Sequence, residues 1–121
     1  MATNNPLVSR PLQIAGIISL LTAVGHTVMG QNELGPKLKH LSVEARTALK
    51  GWYQGSFMYT VFGLNYLRIA SVVGPLTQLD KLILAVQASM HLFTLAGLTQ
   101  VPPRVLSGLL LCLLGVGVVR R

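Results

Sequence analysis

Acidic side chains are scarce in this chain. Among 121 residues there are three, Glu33, Glu44 and Asp80, against ten lysines and arginines, and the net charge is +7. Cysteine occurs once, as Cys112. That excludes an intrachain disulfide and a multi-cysteine zinc site. Charged residues of both signs make up only 11%, far below the roughly 25% of a typical soluble domain. No glycine-rich phosphate loop, nucleophile elbow or Cys/His dyad can be found. The basic excess is no nucleic-acid footprint either, because the bases gather at the ends of apolar runs with little aromatic interleaving. Anionic lipid headgroups are the expected partner, and nucleic acid is not.

What the chain does have is apolar length. Hydrophobic residues make up 51% and the mean hydropathy is +0.59. Long runs without charge alternate with short charged ones, the pattern of a multi-span membrane protein. The expectation is a single all-α domain, a four-helix transmembrane bundle, in the endoplasmic reticulum membrane if the cell is eukaryotic. Residues 1–11, with Pro6 and Pro11, read as a disordered lead-in. The spans fall at about 12–30, 52–70, 79–98 and 105–119, each near the roughly 20 residues that cross a bilayer. The first also fits a signal-peptide template loosely, but is read as a true span. Between the first two spans, Gly35-Pro36 should break the chain. Ser42 should then cap a helix running from Val43 into the second span. Gly74-Pro75 and Val101-Pro102-Pro103 mark the remaining breaks. With four spans both termini share a side, and five basic residues fall on each side, so the positive-inside rule leaves orientation open.

Polar groups inside these runs point to chemistry. A charged group within a span costs roughly 2.5–3.5 kcal/mol on insertion scales, so such groups usually face the bundle interior. Ser19, Thr22 and His26 lie at spacings of three and four on one face. Asp80, Gln87, His91 and Thr94 form a stripe on the third span. Counted at 1.5 Å per residue, His26 and His91 differ in depth by roughly 4–5 Å. Glu33, Trp52, Tyr53, Gln54 and Gln100 enter from the same side, with Tyr59 deeper in the second span. Asp80 lies roughly 16 Å from His91 along its helix and reads as a separate helix-terminal charge, paired with Arg68 or Lys81.

The candidate catalytic residues are therefore His26, His91, Glu33, Tyr53 and Tyr59. Trp52, Gln54, Gln87, Thr22 and Thr94 are the candidates for substrate binding. Two histidines and a carboxylate supply an acid and a base near neutral pH. A tyrosine can donate to a developing oxyanion. Apolar walls suit a lipophilic small molecule arriving from the bilayer. The expected function is cofactor-free acid/base chemistry on such a molecule: epoxide opening or hydrolysis, cyclisation or isomerisation, as in natural-product biosynthesis. Taken singly, each histidine reads as well as a helix–helix hydrogen-bonding residue, Glu33 as a solvated loop residue, and Trp52 and Tyr53 as interfacial anchors. A non-catalytic scaffold or chaperone for membrane enzymes is one alternative, with a second copy or a partner enzyme as its companion. A haem or metal protein using His26, His91 and Glu33 is another, although no ligand spacing within one helix supports it and no metal or cofactor is expected. Cys112 reads as a core or lipid-facing residue, and Gly108 and Gly115 as packing contacts.

The layout is similar to small four-span membrane proteins such as DoxX-like proteins and the ergosterol-pathway scaffold. The stretch Leu41-Ser42-Val43-Glu44-Ala45-Arg46-Thr47, followed by Gly51-Trp52, resembles the scaffold's entrance to its second span over about a fifth of the chain. In size and style of pocket the chain also resembles small membrane enzymes of fungal natural-product pathways. These resemblances imply the architecture and the reaction types above. They carry no functional residue across.

Overall fold

A computed structural model describes residues 9–120, and the elements among them are helical, with no strand. Helix α1 is Arg10–Met29, a π turn comes next at Gly30–Leu34, and α2 is the short Gly35–Leu38. Then come α3, Val43–Ser71, α4, Gln78–Gly97, and α5, Val101–Val119.

The start of α1 corrects the expected lead-in at residues 10 and 11. Pro11 sits in the first turn, where a missing N–H leaves no helical bond unmade, so the helix begins two residues earlier than expected. The rest of that lead-in, residues 1–8, lies outside the described residues. The expected break at Gly35-Pro36 is also absent, because α1, the π turn and α2 form one unbroken helical run, Arg10–Leu38. A proline inside an α-helix normally clashes with the carbonyl four residues back and removes a bond. Here the backbone widens just before Pro36, and the Gly35 N–H donates to the Gly30 carbonyl, a five-residue step. A Cβ on Gly35 would stand 2.9 Å from that carbonyl oxygen, so glycine makes the turn feasible.

The other boundaries obey their local chemistry. The Ala45 N–H donates to the Ser42 hydroxyl at 3.3 Å, the expected cap of α3. The same hydroxyl holds the Glu44 carboxyl below its ordinary pKa. Gly74 has φ +100° in the link after α3, a conformation that glycine adopts without strain. At the start of α4 the Thr77 hydroxyl accepts from the Asp80 N–H, and the Asp80 carboxylate accepts from the Thr77 N–H, a reciprocal capping box. Pro102 and Pro103 lie in the first turn of α5, so the break falls before them and the helix starts at Val101.

Three helical stretches are long and apolar enough to cross a membrane: Arg10–Leu38, Gln78–Gly97 and Val101–Val119. Helix α3 has the length, at 29 residues, but Gln54, Asn65, Arg68 and three tyrosines hold it below that hydropathy. Large apolar side chains point outward on all the long helices, with Phe57 74% and Phe93 78% exposed. Cys112 is exposed too, consistent with the lipid-facing alternative.

The chain forms two compact units. One is the chain up to Ala15 together with the chain from Tyr66 onward, and the other is Gly16–Asn65. In the first, the short link after α4 turns α5 back along α4. Its core holds Leu12, Tyr66, Ile69 and Leu110, all fully buried. A Cβ on Gly117 would stand 2.6 Å from Leu12 Cγ, so glycine lets α1 reach α5. The Ser9 hydroxyl donates to the Gly117 carbonyl at 3.0 Å, and the Ser9 N–H to the Ala70 carbonyl at 3.2 Å. Close approach at small residues and hydrogen bonds between helices are the forces that hold helices together where lipid replaces water. In contrast, Gly115 has open space at its Cβ position and Gly108 only ordinary contact with Leu95. The packing glycine of α5 is therefore Gly117, not the expected Gly115. In the second unit, Gly63 plays the same part, with a Cβ there meeting Leu20 and the Gly16 carbonyl at 2.8–2.9 Å.

Candidate functional site

The sequence spacings of α3 decide what faces α1 in the second unit. Trp52, Ser56, Tyr59 and Gly63 recur at steps of four, three and four, which puts them on one face. From α1 comes His26, seven residues beyond the fully buried Ser19. The imidazole of His26 stacks on the Trp52 indole with centroids 3.8 Å apart and planes 4° from parallel. The indole N–H donates to the His26 backbone carbonyl at 2.6 Å. One residue thus fixes both the ring plane and the backbone of the other, just before the helix widens at Gly30. On the histidine's edge, Nδ1 is 3.3 Å from the Ser56 hydroxyl. Tyr59 lies 6.1 Å away, tilted by 57° and nearly buried.

Two glycines make room for this cluster. A Cβ on Gly55 would stand 2.9 Å from His26 Cε1. A Cβ on Gly30 would stand 2.8 Å from both Trp52 and Tyr53. Beside the cluster runs a 360 Å³ groove lined by Leu20, Ala23, Val24, Thr27, Val28 and Thr60. The Thr27 and Thr60 hydroxyls donate to carbonyls four residues back, Ala23 and Ser56, so the walls presented are largely apolar.

The chemistry is set by how the imidazole is held. A serine hydroxyl both donates and accepts, so it can partner Nδ1 in either tautomer. With Nδ1 accepting, Nε2–H is an acid, and with Nδ1 donating, Nε2 is a base. Among the described residues Nε2 has no hydrogen-bond partner, and the ring is only half-buried. The arrangement can therefore take a proton from a guest and give one back at a single atom.

Of the expected site residues, His26, Trp52, Tyr53 and Tyr59 come together here. Glu33 sits in the π turn and is exposed, and Gln54 is exposed on α3. Thr22 is half-buried, and its hydroxyl donates to the Ile18 carbonyl of its own helix at 2.8 Å. His91 and Gln87 belong to the other unit. Both are fully buried there, and His91 Nε2 is 3.1 Å from the Tyr66 hydroxyl. Thr94 is half-buried one turn beyond. The stripe Asp80, Gln87 and His91 is indeed an inward face. At its far end Asp80 pairs with Arg68 and accepts from the Thr77 hydroxyl.

Ser56 and Tyr66 were not anticipated. Each carried a signal, because both continue the spacing that Trp52 and Tyr59 begin on α3. Among the described residues no three of His, Cys, Asp and Glu gather as a metal site. No protein-family model, curated protein or solved structure matches the chain.

Proposed function

We propose that the chain is a multi-pass membrane protein whose His26 centre carries out cofactor-free proton-transfer chemistry on a lipophilic small molecule. In this reading the three apolar helical stretches cross the bilayer and α3 completes a four-helix bundle. The pairing of Arg68 with Asp80 and of Tyr66 with His91 supports a place for α3 in the membrane, because each polar group on it then has a partner. In a eukaryotic cell the endoplasmic reticulum is the membrane.

The observation that carries the reading is the clamped imidazole: stacked on Trp52, held at Nδ1 by Ser56, open at Nε2, and flanked by an apolar groove. One group that accepts a proton and returns it suits isomerisation or cyclisation. In isomerisation, Nε2 takes a proton from one carbon, the double bond shifts, and Nε2–H returns it to another. In cyclisation, Nε2 takes a hydroxyl proton as its oxygen closes on an epoxide carbon. Nε2–H then delivers that proton to the opened epoxide oxygen. Tyr59 supports the developing charge, and Tyr53 and Trp52 shape the entrance.

Substrate proton exchange in deuterated detergent buffer tests this whatever the product. A panel of lipophilic unsaturated ketones and hydroxy-epoxides is incubated with the protein and read by mass spectrometry. Wild type should introduce deuterium or change the retention of at least one member. His26→Phe keeps the stack and removes both nitrogens, and should lose roughly 10²–10⁴ of that rate. Equal rates in the two proteins would overturn the reading and leave the scaffold alternative.

A further inference from the structure

A second groove lies in the other unit, between α4 and α5, with a volume of 430 Å³. Its walls are Leu84, Ala85 and Ala88 from α4 and Leu111, Leu114 and Val118 from α5. One polar residue lines it, Lys81, at the end where α4 begins and α5 finishes. Along α5 the lining runs from Leu111 to Val119, about 12 Å at 1.5 Å per residue. That is most of the roughly 15 Å of hydrocarbon in one leaflet.

The charge at the mouth identifies the occupant. Asp80, beside Lys81, is already engaged by Arg68 and Thr77. Among the described residues Lys81 has no carboxylate partner. It also stands in the first turn of α4, where the helix dipole disfavours a cation. Arg120 comes directly after the last groove residue and is exposed. An apolar slot one leaflet deep with unpaired bases at its headgroup end fits an amphiphile with an anionic head.

We propose that this groove holds one acyl chain of an anionic phospholipid, with the Lys81 ammonium on its phosphate. The proposal rests on the membrane reading above and is independent of the His26 chemistry. Gly115 provides the means to test it. A Cβ there meets nothing within 4 Å, so Gly115→Leu fills the slot without disturbing the helix contacts.

The experiment is native mass spectrometry of the detergent-purified full chain with phosphatidylglycerol or phosphatidylcholine of matched acyl chains. Wild type should retain one phosphatidylglycerol with a roughly fivefold preference, the size that one basic residue gives near an anionic surface. Gly115→Leu should lose the retained lipid, while Val116→Leu, outside the lining, should keep it. Lys81→Gln should keep a lipid and lose the preference. Equal retention of both lipids by wild type, or unchanged retention in Gly115→Leu, would overturn the site. Alkaline carbonate extraction separates the two readings. A soluble chain overturns membrane residence, whereas a membrane-retained chain without lipid preference overturns only the groove.

Discussion

Gly55→Ala should dismantle the His26 cluster although Gly55 has no side chain in it. The new Cβ would lie 2.9 Å from His26 Cε1, while carbon atoms pack at about 3.5–4.0 Å. The ring must therefore retreat by roughly 0.6–1 Å from that contact distance. It cannot swing freely, because Trp52 covers one face and Ser56 holds Nδ1. Moving away from α3 stretches the 3.3 Å bond to Ser56 beyond about 3.6 Å, where it no longer counts as a hydrogen bond. Overpacking of this kind costs about 1–3 kcal/mol. Alanine offsets up to about 1 kcal/mol of that through its better helix propensity. The net expectation is a loss of about 1–2 kcal/mol. Trp52 is the one tryptophan in the chain, so its emission in detergent reports the stack directly, and thermal unfolding monitored at the same wavelength reports stability. The partner variant makes the test sharp. In a His26→Ala background only the propensity gain remains, so Gly55→Ala should become stabilising by up to about 1 kcal/mol. Unchanged emission and stability in Gly55→Ala alone, or no reversal of sign in the double variant, would refute the clamped geometry.

Two further outcomes are expected in the first unit. Tyr66→Phe removes the hydroxyl 3.1 Å from buried His91 and should cost about 0.6–1.7 kcal/mol, the range of hydrogen bonds between membrane helices; Tyr66→Phe with His91→Leu should be less damaging than Tyr66→Phe alone, as thermal unfolding would show. Gly117→Ala should lose about 1–3 kcal/mol against the buried Leu12, while Gly115→Ala, two residues earlier, should be neutral or slightly stabilising by the same assay.

Helix ends were largely legible in the sequence because their causes are local. Ser42, Gly74 and the prolines before α5 each act on the backbone within one turn. The exception was Gly35-Pro36, where a break was expected and a π turn was found. Proline demands only that one carbonyl be kept clear, and a widened turn meets that as well as a break does. The inward stripe of α4 was legible from spacing alone. Partnerships were not, because spacing fixes a face and a depth but not which neighbour meets it. His26 was expected to work with His91, yet its contacts are Trp52 and Ser56, while His91 meets Tyr66. Ser56 was passed over because a serine in an apolar run reads as a small packing residue. Only its step of four from Trp52 and three to Tyr59 marked it. Hydropathy summed over a run also hid Gln54, Asn65 and Arg68, which set α3 apart from the other long helices.

The π turn at Gly30–Leu34 bears on how this chain can vary. A π turn holds one residue more than an α-helix needs, and each added residue rotates the downstream helix by about 100°. Removing one residue there would restore a plain helix and swing Lys37 and Lys39 around the axis by that angle. His26, four residues upstream, would keep its place against Trp52. Insertion and deletion at this point therefore act as an indexing step. They re-aim the basic arm at the end of the run while leaving the imidazole centre where it is.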